Sequence, residues 1–153
     1  MTNNFLSINV VTSGPLFEPQ KMEKAVNQAL LNAGAFLLTE LVMLANNGKN
    51  ADNQPLQPYS VWYQAVRQMK GLNTRPNFQF TSSMLNSLTI LNKNDKSFSI
   101  GVVGVDVNGM SNALKLQKVQ ERKNYYLLRA TNYLAKKTAD WFQSQLIDIL
   151  SRS

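Results

Sequence analysis

The chain has 153 residues, 44% apolar and 16% charged, which excludes an intrinsically disordered segment and fits one domain, residues 1–153, able to bury its own core. It contains no cysteine and no histidine, which removes disulfides, thiolate and imidazole metal ligands, and the Ser-His and Cys-His routes to an activated nucleophile. Sixteen basic residues against nine acidic ones leave a net charge of +7, which favours acidic partners, nucleic acid among them.

Met1 to Asn4 lacks the positive charges of a secretory signal, so the mature chain is expected to begin here. Leu6, Ile8 and Val10 alternate with Ser7 and Asn9, the period of a half-buried strand, and Ser13-Gly14-Pro15 breaks it. After Pro19 the apolar positions Met22, Val26, Ala29, Leu30, Ala33, Leu37, Leu41 and Leu44 recur every three or four residues, which predicts a long helix ended by Asn46-Asn47-Gly48. The apolar stretch within it is interrupted by Thr39 and Glu40 and is expected to be too short for a membrane span.

Lys49 to Pro58 is polar, holds two prolines and reads as a loop. Ser60 then caps a short helix carrying Val61, Trp62, Ala65, Val66 and Met69, stopped by Gly71. Trp62 and Tyr63 are expected to close the core, the alternative being an interface anchor. Leu72 to Phe80 reads as an extended connection, and Thr81 to Ser83 as caps for one turn with Met84 and Leu85.

Two apolar runs, Ser87 to Leu91 and Lys96 to Val103, flank the turn residues Asn92-Lys93-Asn94-Asp95 and predict a hairpin. Gly101 to Gly104 lacks the Gly-Lys-Ser/Thr ending of a phosphate loop and reads as a bulge or a close backbone approach. Gly104 to Asn112 is expected to be irregular or mobile, Ala113 to Val119 a short helix, and Tyr125 to Leu128 extended. Asn132 to Leu150 is a second long helix with Leu134, Trp141, Phe142, Leu146, Ile149 and Leu150 on its apolar side. The order predicts an α+β fold: a small antiparallel sheet packed against two long helices, N-terminal and C-terminal, with short helices and long loops. The other sheet face and the unpaired strand edges are candidates for partner contact.

Most of the net charge is local. Lys115, Lys118, Arg122, Lys123, Arg129, Lys136 and Lys137 share a window with one acid, Glu121, and are interleaved with Tyr125 and Tyr126. This mixture can grip phosphates and stack bases. The same residues can instead form a solvated surface with the tyrosines filling an interior, or meet an acidic patch on a neighbouring subunit. The nine carboxylates form no Asp-x-Asp or paired motif, so no metal, cofactor or catalytic residue is expected, and an enzyme would need an unusual Ser-Lys or carboxylate site.

The layout resembles the tail-completion or neck proteins of tailed bacteriophages, also called virion morphogenesis or head-tail joining proteins. Phe80-Thr81-Ser82-Ser83-Met84-Leu85-Asn86-Ser87-Leu88 is similar to that family's Thr-Gly-x-Leu/Met-x-x-Ser-Leu segment, and Ile100-Gly101-Val102-Val103-Gly104 to its Val-Gly hairpin ending. Tyr63 and Arg67 before Gly71, and the basic, aromatic Arg122 to Arg129 before the last helix, extend the similarity over nearly the whole chain. Ser82 or Ser83 stands where glycine is common in the family, and Leu116-Gln117-Lys118 only echoes its His/Gln-x-Gly element.

The resemblance implies a structural virion protein made in the host cytoplasm. It would form a ring, expected to be a hexamer, between a head-side connector and the tail tube, with the loops 49–58 and 104–112 ordering on assembly. Lys115, Lys118, Arg122, Lys123 and Arg129 would then face a partner or the DNA passing through the channel, with Trp62, Tyr125 and Tyr126 as interface aromatics. The competing expectation is a small basic nucleic-acid-binding protein that uses Lys115 to Lys137.

Overall fold

The computed structural model describes residues 5–10, 18–76, 85–121 and 125–152. Within them lie three strands, β1 (Phe5–Asn9), β2 (Leu88–Lys93) and β3 (Ser97–Val102). Four helices accompany them, α1 (Pro19–Asn46), α2 (Val61–Met69), α3 (Asn112–Gln120) and α4 (Asn132–Ser151). The fold is α+β, as expected. The Ser13-Gly14-Pro15 break, the Thr81 to Ser83 caps and most of the Phe80 to Leu88 run lie outside the described residues.

The sheet is antiparallel in the order β1-β3-β2. Its register places Leu6 opposite Ile100, Ile8 opposite Phe98, Leu88 opposite Val102 and Ile90 opposite Ile100. Strand alternation therefore puts all of these side chains on one face. The opposite face carries small hydroxylated residues, and the Ser7 and Ser99 hydroxyls lie 3.0 Å apart across it. The register shifts between Ile90 and Asn92, so Leu91 is the extra residue of a bulge and is 40% exposed.

Helix α1 lies on the apolar face. Pro19 opens it at a position where the missing N–H costs no hydrogen bond, and Ala25, Val26, Ala29, Leu30, Ala33, Leu37, Leu41 and Leu44 are buried along it. By length and composition alone α1 could cross a membrane, contrary to the expectation of a stretch too short to span, yet half of its most apolar window is buried inside the fold. At Gly34 a methyl group would stand 3.0 Å from Ile90 Cδ1, so glycine sets how closely the helix approaches the sheet. Helix α4 runs antiparallel along α1, with Trp141 stacked on Phe36 at 4.6 Å and Gln145 bonded to Asn32. Leu134 and Thr138 are its buried residues, while Trp141, on the apolar side as expected, is still 39% exposed.

Gly48 ends the turn after α1 with a positive φ of +65°, and a Cβ there would collide with the carbonyl oxygen of Pro76. Gly48→Ala combines a left-handed backbone with that collision and is expected to cost at least about 2 kcal/mol. The denaturant midpoint measures it, and an unchanged midpoint would show that the turn does not hold this conformation.

Tyr125 to Leu128 is not a strand. It is an irregular segment crossing the core, where the N–H groups of Leu127 and Leu128 both donate to Gln120 Oε1, at 3.2 and 2.9 Å, and the Tyr126 carbonyl accepts from Ala51 N–H. The buried Leu127 and Leu128 side chains have to be carried inward, and one glutamine side chain substitutes for a neighbouring strand.

Candidate interaction surface

The basic window does not fold into one free patch. Lys115 is an ion-pair partner of Asp106, both of them largely buried. Lys137 pairs with the buried Glu40 at 2.8 Å, and Lys136 pairs with Asp140 at 3.1 Å. Arg129 stacks over the Tyr126 ring, 4.8 Å from its centroid. Lys118 is exposed, and Arg122 and Lys123 lie outside the described residues. Lys115 thus braces a loop and cannot belong to a solvent-facing cationic footprint.

The two tyrosines of that window also turn inward. Tyr125 is only 9% exposed and its hydroxyl donates to the Gln57 carbonyl at 2.8 Å, which makes it a core residue and corrects its expected place among interface aromatics. The half-buried Tyr126 donates to Asp52 Oδ2 at 2.6 Å; that bond, reinforced by burial, holds its phenol above the usual tyrosine range. Both bonds tie down loop 49–58, which Asn50 organises from within: its buried side-chain oxygen accepts from Asp52 N–H and Gln54 N–H.

Loop 104–112 is irregular, as expected, and is braced by its own hydrogen bonds. Asp106 Oδ1 accepts from Asn108 N–H and Met110 N–H, and Asn112 Nδ2 donates to the Val103 carbonyl. The Lys115 ammonium and these amides hold the Asp106 carboxyl below the usual carboxylate range. The loop presents Val105 and Val107 to solvent, 63% and 99% exposed.

Helix α2 departs furthest from expectation. Ser60 caps it, accepting from Tyr63 N–H, but none of its residues is buried. Trp62, expected to close the core, is 74% exposed, and Val61, Ala65 and Met69 stand out with it on one stripe. The other side of α2 packs on the residue that precedes its cap. Tyr59 and Tyr63 meet edge to face at 5.1 Å, the Arg67 guanidinium sits 5.2 Å over the Tyr59 ring, and Gln64 Nε2 donates to the Tyr59 carbonyl. These contacts join α2 to the residues just before it, and the apolar stripe on its other side lies open to solvent. Periodicity alone cannot see this, because a core-facing stripe and a partner-facing stripe share the same spacing. One sequence signal does single the region out: from Asn53 to Asn94 there is no acidic residue, while Arg67, Lys70, Arg75 and Lys93 are present.

Glu40, the most deeply buried carboxylate among the described residues, accepts from two donors. Tyr133 Oη donates to its Oε1 at 2.7 Å and Lys137 Nζ at 2.8 Å. Burial pushes its pKa up, but the bonds and charge of Lys137 and Tyr133 outweigh this and leave it below the ordinary value. No three acidic side chains come together as a metal site among the described residues. Comparison with protein families, with curated proteins and with solved structures finds no match in any of the three.

Proposed function

We propose that this chain is a structural subunit that works by protein contact: a neck protein of a tailed bacteriophage that assembles into a ring at the head-tail joint and completes the tail. The observation that carries contact as the mode of action is α2, whose apolar stripe of Val61, Trp62, Ala65 and Met69 lies open to solvent. Isolated soluble domains rarely leave so large an apolar surface uncovered, and tryptophan is the residue most enriched at the centres of interfaces. The phage assignment rests on the resemblance of the chain's layout and of its Phe80 to Leu88 and Ile100 to Gly104 segments. The competing nucleic-acid reading loses support where Lys115 and Lys137 are already paired with carboxylates that are themselves largely buried.

The test is the mass of the purified protein in solution, alone and with a short DNA duplex at low and moderate salt. A concentration-dependent oligomer indifferent to duplex is expected. A monomer that binds duplex with an affinity falling steeply with salt would overturn the ring reading in favour of the nucleic-acid module.

A further inference from the structure

β1 is an edge strand, paired on one side only. The bond from Val10 N–H to the carbonyl of Lys96, the residue directly opposite, sets the phase of the ladder: residues 6, 8 and 10 turn their backbone groups to β3, and Ser7 and Asn9 turn theirs outward, where no described residue pairs with them. The devices that keep exposed edges apart are missing here, since Phe5 to Val10 holds no charge, no proline and no bulge. β2, at the other edge, has both a bulge at Leu91 and a terminal Lys93. We propose that an extended segment of a different protein adds to β1 as a fourth strand, pairing with the backbone of Ser7 and Asn9.

The backbone selects the occupant, because an outward row of N–H and C=O groups is matched in register only by another extended chain. The helix layer leaves room for one. Two packed helices, each about 10 Å across, cover the width of about four strands spaced about 4.8 Å apart, and the sheet has three among the described residues. α1 rests on β3 and β2, and α4 rests on α1, so the vacant strand position lies beside β1. A groove of about 410 Å³ is found there, with Ile8 and Val10 on one side and Ala135, Ala139 and Phe142 of α4 on the other. Every second side chain of the added strand enters this groove and is apolar; those between lie on the face of Ser7 and Ser99 and are small and polar. The same geometry argues against a second copy as donor. An antiparallel pair of β1 strands about a two-fold axis normal to the sheet brings both α4 helices over the same joined strands, and β2 is blocked by its bulge and Lys93. The inference stands apart from the ring reading, which concerns contacts between copies.

The probe is a hexapeptide of alternating valine and threonine, blocked at both ends. Added to the isotope-labelled protein, it is expected to shift the amide resonances of Ser7 and Asn9 and to slow their hydrogen exchange. The same peptide methylated at every amide nitrogen should do neither. Ser7→Pro removes a donor that the ladder with β3 does not use, so the fold should survive while affinity for the peptide falls at least about tenfold. Equal binding of the methylated peptide would overturn strand pairing in favour of a side-chain contact. Shifts confined to α2, or none at any soluble concentration, would overturn the site. Ser7 and Asn9 amides that become protected as the protein alone is concentrated would overturn the choice of occupant in favour of a second copy.

Discussion

Phe98→Ala is expected to remove about 3–5 kcal/mol of stability, the largest loss from any single truncation in this fold. Phe98 is 2% exposed near the start of the middle strand, opposite Ile8 on β1 and Lys93 on β2, and a Cβ on Gly34 of α1 would lie 3.7 Å from its ring. Three elements therefore lose contact at once, and the backbone of α1 has no side chain at Gly34 with which to fill the space. A domain of this size has only about 5–15 kcal/mol to lose, so the variant should unfold at a much lower urea concentration and be partly unfolded when warmed. A shift worth less than about 1 kcal/mol would mean that α1 does not rest on β3 at Gly34.

Lys137→Ala is expected to cost about 2–3 kcal/mol at neutral pH, because it leaves the Glu40 carboxylate buried without its cation. The figure stays at the lower end for a broken buried pair because the Lys137 side chain is 42% exposed, so water can follow its removal. The pH dependence gives a sharper signature. In the native protein Glu40 titrates below its ordinary value of 4.5, so its contribution to stability is present above that value and is lost as pH falls through the lower, folded value. Without Lys137, burial acts on Glu40 with less opposition and raises its pKa, so protonation then stabilises the variant. The gap between the two proteins should therefore be widest near neutrality and should narrow below about pH 4.5. A gap independent of pH would place the effect of Lys137 in packing and not in charge.

The regular elements were legible in the sequence because each rests on a period or a cap a few residues long. Leu6, Ile8 and Val10 announce β1 by alternation, the Pro19 start and the Gly48 stop frame α1, and Ser60 marks the start of α2. Segments held by distant partners were not legible. Loops 49–58 and 104–112 read by composition as connections without regular structure, and nothing local announces that Asn50, Asp106 and Asn112 supply their hydrogen bonds or that Tyr125 and Tyr126 reach the first of them from more than sixty residues away. No local pattern encodes a bond of that span.

Charge and apolar spacing show the same division. The sequence by itself determined an α+β chain with a net positive charge, no imidazole, no thiol, and two long helices of the right period to cover a sheet. Only the tertiary structure decided which cations stay on the surface, since Lys115 and Lys137 find their carboxylates in Asp106 and Glu40, the latter 97 residues away. The direction of each apolar stripe was decided in the same way. The stripe of α1 meets the sheet and disappears into the core, whereas that of α2, equally apolar in pattern, lies open to solvent while Tyr59, Tyr63 and Arg67 pack together on its opposite side. Periodicity records that a helix has an apolar face, and only the placement of its neighbours determines what that face meets.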